Sequence, residues 1–572
     1  MPNKTRPSQP TPYESGNQNQ TTTWSDCIAF YEALAAKYPA ALRFWQIGTT
    51  SGGRPLHAGV VTADGVLSRE PLRADRRPVF FNNNGIHPGE PEGVDVCMAL
   101  VRDLCVQAEL RAALGRTVFL FIPLYSVDGA CNRNNSSRVN QVGPESFGFR
   151  GNARNLDLNR DFIKADSLEA QAFNRFFTEW DPDVMVDTHT SNGADYQHTM
   201  TLIHTQTDKL GDPLGGYLRE TMLPAINDSM AQQGWPLVPY VNQLKDTPEG
   251  GIRHTLEVPR FSTGYAALHH TIGFMPETHM LKPYAQRYAS MRALVDTVLA
   301  YTVQHSSAIQ QLRLQAHTDA AQRTEWPVHW QIDHSRVEHI RFKGFKAVVR
   351  PSLLGNYNRL AYDRTQPWEA DIAFFGRCVP DVVVCTPAAY LIPQAWREVI
   401  ERLQWNGVQV TRLGSDQTLV VQTVRIDSVT TRATPYEGHM FHDEVHITRH
   451  TETVPLHAGD YVVTLNQPRA RYAVETLEPQ AHDSFFRWGF FNSVLEKKEG
   501  FSDYAFEDTA LELLREEPEL SQRFEDWKAA NPALVNDQAK VLQFIYSHCR
   551  RYAEPQWMRY PVYGLLQPPN IG

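Results

Sequence analysis

The spacing of the short apolar runs constrains the fold of this chain more than any other feature. Val79-Phe80-Phe81, Val118 to Ile122 and Val184-Met185-Val186 are strand-length stretches unbroken by polar residues. A run that is apolar at every position has no side to give to solvent, so it belongs in a sheet covered on both faces. Helical periodicity fills the intervals, over Glu92 to Leu114 and Ser167 to Trp180. Further strands are expected at His57–Thr62, Pro78–Asn82, Thr117–Pro123 and Asp183–Asp187, and further helices at Ser25–Lys37, Pro213–Gly234 and Tyr284–His305. Strands alternating with helices predict an α/β fold, a largely parallel mixed sheet flanked by helices.

Functional residues of open α/β sheets gather where strands end. After Val79-Phe80-Phe81 and an Asn82-Asn83-Asn84-Gly85 break come His87-Pro88-Gly89-Glu90, with a His and a Glu three apart. After Val184-Met185-Val186 come Asp187-Thr188-His189. Between them lies Asn155-Leu156-Asp157-Leu158-Asn159-Arg160. Two imidazoles and one carboxylate, His87, Glu90 and His189, make a three-ligand Zn2+ set with an open fourth position. An HxxE pair alone arises by chance; the combination with a second His at a strand exit gives it weight.

These segments resemble the carboxypeptidase A superfamily of zinc carboxypeptidases over residues 20–310. An HxxE pair, a later single His, a D-x-N-R segment and a downstream Glu near a strand end are all present. Ser262 to Tyr265 and Pro276 to Tyr284 are similar to a bacterial subgroup of that family. The resemblance implies one zinc per chain on His87, Glu90 and His189. It implies that Glu277 takes a proton from the zinc-bound water and delivers it to the leaving amine. Asn159 and Arg160 match the pair that grips a terminal carboxylate, a task suited to the planar fork of Arg. Asp157 matches the residue that orients a ligand His; a strand-end cap is its bland alternative.

Two further roles are implied. The family places another Arg ahead of the D-x-N-R segment, where it steadies the developing oxyanion; Arg150 is the choice, with Arg138 and Arg154 as rivals. It also uses a mobile Tyr before the catalytic Glu, and Tyr265 is the candidate. His198, His204, His254, His269, His270 and His279 have no partner at ligand spacing and read as hydrogen-bonded or exposed residues. His279 shares the strand face of Glu277. Side-chain choice is expected to be set in Pro259 to Thr263, where Arg260 favours an acidic terminal residue or is a surface cation.

Composition narrows the classes. The chain has 572 residues, 42% hydrophobic and 21% charged, with a net charge of −9. Nothing basic suggests nucleic acid, and the longest apolar stretch, Val118 to Tyr125, is too short to span a membrane. Seven scattered Cys read as free thiols rather than a disulfide scaffold. The polar N-terminus lacks the apolar stretch of an export signal, which is cytoplasmic if literal and periplasmic or secreted if the chain is a mature form. Residues 1–22 are expected to be flexible, ahead of a catalytic domain over 23–310.

After residue 310 the pattern changes. A β-rich accessory domain is expected over 318–475, including Lys346–Val349 and Thr418–Val421, with a helix at Pro393–Leu403 between strands at Asp381–Val384 and Val408–Val410. A helical region is expected over 476–572, with helices at Phe506–Ala529 and Asp537–Arg551. His439, His442 and His446 read as a solvated strand face. The accessory half has three expected roles: to cover the active-site mouth, to hold an oligomer together, or to bind a polymer such as peptidoglycan. The leading function is a metallocarboxypeptidase acting on peptides with a free C-terminal carboxylate. The alternatives are a zinc deacylase on N-acyl amino acids or cell-wall peptides, and a binding module that kept the fold.

Overall fold

The computed structural model describes residues 9–567. Its centre is a nine-stranded mixed sheet. The strands in chain order are β1 (Leu42–Thr49), β2 (Pro55–Val61), β3 (Val79–Asn83), β4 (Val118–Ile122), β5 (Val184–Asp187), β6 (His189–Ser191), β7 (Met200–His204), β8 (Val238–Pro239) and β9 (Ile272–His279). They lie in the order β1-β2-β4-β3-β5-β9-β7-β8, with β6 also on β9. The inner β4-β3-β5-β9 ribbon is parallel, as the all-apolar runs predict. Every residue of β3, β4, β5 and β9 is buried. The α/β expectation holds.

The helices match in position and differ at their ends. Thr23 caps the first long helix, Trp24–Lys37, by accepting from the Asp26 amide; Ser167 caps Leu168–Trp180 in the same way through Ala170. The helix beginning at Tyr284 runs on to Gln322, because Ile309, Arg313, Ala316 and Ala320 continue its buried face. The expected Phe506–Ala529 helix is two, Asp503–Glu516 and Pro518–Ala530. Pro518 has no N–H to continue the first helix and is suited to start the second. The stretch 214–232 is helical throughout but carries a π turn at Leu218–Met222.

The accessory half is β-rich and ends in helices, as expected, yet it is interleaved with the first half. A hairpin of Glu338–Pro351 and Asn358–Phe375 pairs with Ile252–Arg253, which pairs with Asn242–Gln243. A six-stranded sheet contains Gln417–Thr431 and His442–Leu456, and the last strand, Arg559–Leu565, returns to its middle. One buried apolar cluster includes residues from Cys27 to Val562. The boundary expected near 310 falls inside the Tyr284–Gln322 helix. Residues 1–8 of the segment expected to be flexible lie outside the described residues; from residue 9 the segment is packed, with Tyr13 stacked on Tyr288 at 3.8 Å. All seven Cys are free. Among the described residues no helix is long and apolar enough to cross a membrane.

Candidate metal centre and catalytic cleft

Strand β3 delivers the chain to Asn84-Gly85, and the Glu90 amide closes a tight turn on the His87 carbonyl at 2.9 Å. The helix Glu92–Val106 starts directly afterwards, beside the exit of β5. Gly93 makes this approach possible: a Cβ there would lie 1.9 Å from Thr188 Oγ1. The contact brings His87 and Glu90 against His189. The parallel register of β6 and β9 then sets Glu277 opposite His189.

His87, Glu90 and His189 are buried, and one ligand atom from each lies within 4.8 Å of the others. Both imidazoles are held from behind. His87 Nε2 is 2.8 Å from Asp157 Oδ1, and His189 Nε2 is 2.9 Å from Asp187 Oδ2. Each ring therefore turns Nδ1 toward Glu90, His87 at 3.2 Å from Oε1 and His189 at 3.1 Å from Oε2. A carboxylate behind Nε2 fixes the tautomer that leaves Nδ1 a lone pair. His87 Nδ1 is buried and has no hydrogen-bond partner. An orphaned lone pair beside a carboxylate and a second imidazole is a donor set that suits zinc.

Electrostatics here follow from burial and close charges. Burial pushes the Glu90 carboxyl up, but Arg138, His87 and His189 overcome it and hold the group well below the usual range. Burial opposes a charge on His189; Asp187, Glu90 and Glu277 outweigh it and raise its pKa well above the ordinary value. A metal entering the site must displace that proton. Burial, aided by the Glu90 carboxylate and opposed by His189, Arg150 and Arg138, raises Glu277 to about 8. A divalent cation on the triad acts in the opposite sense.

The triad opens into a cleft of about 590 Å³ lined also by Arg138, Arg150, Asn159, Arg160, Tyr240 and Glu277. Each nitrogen of Arg138 makes one hydrogen bond: Nε donates to Gln141, Nη1 to Glu90 at 2.6 Å and Nη2 to the Thr190 carbonyl at 2.9 Å. Arg150 Nη1 lies 2.6 Å from His87 Nε2 and donates to Asp157 at 2.9 Å, Nη2 donates to Glu90 at 3.2 Å, and 43% of the side chain is exposed. Arg154 points away, to the Asp166 carbonyl. Arg160 lies over the Phe261 ring at 4.5 Å and donates one bond to the Asn159 carbonyl. Its Nη2 and Nε make no hydrogen bond among the described residues. Asn159 Oδ1 accepts from the Ser262 amide, and Asp157 also accepts from the Asn159 amide.

Tyr265 is a correction. It is fully buried on the helix Ser262–Leu268, packs against Phe162, Phe173 and Phe177, and donates to Asn406 at 2.6 Å. A side chain locked in an aromatic core cannot swing over a substrate. The tyrosine in the cleft is Tyr240, in the turn after β8. Burial raises its hydroxyl pKa strongly, and the Glu277 and Glu90 carboxylates add to that. No periodicity marks Tyr240 in the sequence. Asp187 was legible only as a neighbour of His189. Arg260 is neither a specificity residue nor a surface cation: it is buried, with its Nε on Asp483 at 2.8 Å. Phe261, with Ile203, Leu256, Val258 and Met275, gives the cleft an apolar wall.

Of the other histidines expected to be hydrogen-bonded or exposed, His269 and His270 are neither: both are buried with no hydrogen bond to either ring nitrogen among the described residues. His198 and His279 bond to carbonyls of Pro236 and Ala194, and His279 does not line the cleft. His439 meets Asp166 and His442 meets Asn492, so neither is on a solvated face, while His446 is exposed. Every residue lining the cleft lies between His87 and Met280; the accessory half touches the segments next to the lining, through Gly344 on Tyr196 and Arg364 on Asp195.

Residues 27–208 match the family model described as zinc carboxypeptidase (Peptidase_M14). The match takes in the triad, Asp157, Asn159 and Arg160 and stops short of Glu277. Carboxypeptidase 2 of Trichophyton equinum is 24% identical over 421 residues, 71% of this chain and 72% of that protein. Carboxypeptidase 2 of Trichophyton rubrum is 22% identical, over 73% of this chain and 74% of its own. Among solved structures, a metallo-carboxypeptidase from Burkholderia cenocepacia aligns at 15% identity and TM-score 0.36, over 50% of this chain and 70% of that one. Carboxypeptidase A from Helicoverpa armigera aligns at 11% and 0.38, over 51% and 74%. The curated relatives named are fungal, and they carry the family rather than the bacterial subgroup. The match over residues 27–208 and the curated carboxypeptidases to which the chain is similar support a zinc metallocarboxypeptidase.

Proposed function

We propose that the chain removes the C-terminal residue from peptides, with one zinc held by His87, Glu90 and His189. The observation that carries this reading is the placement of Asn159 and Arg160 in the same cleft as the triad and Glu277. An endopeptidase has no use for a carboxylate clamp, whereas an exopeptidase needs one at a fixed distance from its reacting centre.

When bound, zinc supplies Lewis-acid activation of water and of the scissile carbonyl. Glu277, buried opposite His189, accepts the proton of the attacking water and returns it to the leaving amine. Arg150 is the more exposed of the two arginines beside the triad, 43% against 11% for Arg138, and its Nε makes no hydrogen bond among the described residues, so it is the one assigned to the developing oxyanion. Arg160 takes the terminal carboxylate with its free Nη2 and Nε, steadied by Phe261. Tyr240 also lines the cleft and replaces Tyr265 as the hydroxyl available to substrate. The apolar wall of Ile203, Leu256, Val258 and Met275 suits an uncharged terminal side chain.

The test is hydrolysis of peptides with free and amidated C-termini by wild type and Glu277→Gln, with zinc assayed on the same samples. Free-acid peptides should lose one residue, amidated ones should be inert, and the variant should hold about one zinc yet be inactive. Cleavage of N-acyl amino acids with no peptide cut moves the assignment to a deacylase on the same site.

A further inference from the structure

The tip of the hairpin made by Gln417–Thr431 and His442–Leu456 lies far from the cleft in sequence but touches its framework. Tyr436 and His439 close the tip with two reciprocal backbone hydrogen bonds, 2.8 and 3.1 Å. The two central residues, Glu437 and Gly438, both have positive φ, +50° and +85°. Such a turn favours Gly, Asn or Asp at both positions, and a Glu there is uncommon. The Glu437 carboxylate has a specific partner: its Oε2 accepts from the Asp157 amide at 2.8 Å, across 280 residues of chain.

Asp157 is the junction of the site. Its Oδ1 meets both the Nε2 of ligand His87 and the amide of Asn159, and its Oδ2 takes Arg150. The accessory half holds the other side of the clamp as well. Asp483 takes the backbone amide and the Nε of Arg260 at 2.8 Å each. The Arg260 guanidinium sits over the rings of Tyr436 and Phe441. The next residue, Phe261, carries the stacked Arg160.

We infer that Glu437 is a positioning residue for catalysis: the accessory half, through this one side chain, sets the Asp157 backbone and with it the His87 ring and the Asn159-Arg160 clamp. An unfavourable turn residue is kept because its carboxylate is the acceptor that Asp157 needs. Glycine relieves the turn and removes the acceptor, so stability and site geometry are expected to part company. A merely structural residue moves them together.

The kinetic part of this inference rests on the carboxypeptidase reading; the metal part does not. The experiment compares full-length wild type, Glu437→Gly and Glu437→Gln for zinc affinity, for the visible spectrum of the cobalt-loaded protein, for KM and kcat on a free-acid peptide, and for melting temperature without metal. Glu437→Gly should melt no lower than wild type. Its zinc affinity should fall about tenfold, the scale of losing a group that orients a ligand, its cobalt spectrum should change, and its KM should rise more than its kcat falls. Glu437→Gln keeps an amide oxygen as acceptor and should restore most of each value. Zinc affinity and spectrum within twofold of wild type in Glu437→Gly overturn the inference. So does a melting temperature that drops in step with activity, or a Gln variant no better than Gly. If wild type cuts no peptide, the carboxypeptidase reading fails, and the metal readouts still decide the role of Glu437.

Discussion

Asp187→Ala tests the metal centre where the structure is most explicit. Asp187 is fully buried and serves two donors, His189 Nε2 through Oδ2 and Asn83 Nδ2 through Oδ1, each at 2.9 Å. Alanine leaves both donors buried without an acceptor, at about 1–3 kcal/mol each, so the metal-free protein should lose about 2–6 kcal/mol. The ligand ring also loses the carboxylate that fixes its tautomer and raises its basicity. Zinc affinity should fall about 10- to 100-fold, or about 1.4–2.7 kcal/mol. Asp187→Asn should be milder, because the amide oxygen accepts from Nε2 while its NH2 turns to Asn83, whose own Oδ1 has no partner. Competition against a chromophoric chelator gives the affinity, and melting with and without zinc gives the stability. Since a ligand stabilises in proportion to the logarithm of its excess over Kd, the zinc-induced rise in melting temperature should shrink in the order wild type, Asn, Ala. An Ala variant that binds zinc within twofold of wild type refutes the role of Asp187.

The two tyrosines should separate cleanly. Tyr240→Phe should reduce kcat/KM with the melting temperature unchanged, whereas Tyr265→Phe should leave kcat unchanged and cost about 1 kcal/mol of stability by orphaning Asn406; the reverse pattern refutes the reassignment. The Asp166 contact with His439 should show in acid. Burial pushes the Asp166 carboxyl up, but the His439 and Lys164 side chains overcome it and lower its pKa to about 2. Its folded value is below the unfolded one, so the stabilisation is present above about pH 4 and is lost as pH falls toward 2. The size is about 2 kcal/mol, and the stability gap between wild type and Asp166→Asn should close over that window; a gap constant between pH 6 and 3 refutes it.

The cluster of His87, Glu90 and His189 was legible because these residues stand where physics concentrates polar side chains. Short all-apolar runs bounded by turn residues read as strands buried on both faces, and the polar residues following Val79–Phe81 and Val184–Val186 then fall at one edge of the sheet. Asp157, Asn159 and Arg160 came with a resemblance, and the structure brings all three to that edge. What the sequence hid depends on distant partners. A tyrosine on an apolar helix looks the same whether it faces a cleft or a core, and Phe162, Phe173 and Phe177 decided the case for Tyr265. Arg260 looks like a surface cation until Asp483, 223 positions away, is placed beside it. The helix break at Pro518 had a local signal that the apolar period overrode. The return of Arg559–Leu565 into the six-stranded sheet had none, because antiparallel pairing over that distance leaves no mark on composition.

Residue 310 lies inside the Tyr284–Gln322 helix. Strand-rich sequence begins after that helix, but apolar side chains on both sides enter one cluster. The contacts between halves are not confined to a flat interface. Asp181 of the first half pairs with both Arg313 and Arg469, Asp166 meets Arg402 and His439, and the strand Ile252–Arg253 lies in a sheet with the accessory hairpin. Ile252–Arg253 and Asn242–Gln243 flank the Tyr240 turn and the Thr255–Val258 wall. Cutting at 310 therefore removes the sheet that holds these cleft walls, the acceptor on Asp157 and the partner of Arg260 together. A buried ion pair stripped of one member is strongly destabilising, at about 3–5 kcal/mol, and Arg260–Asp483 is such a pair. The first half carries every residue that faces the cleft, and the second half carries part of what keeps them there.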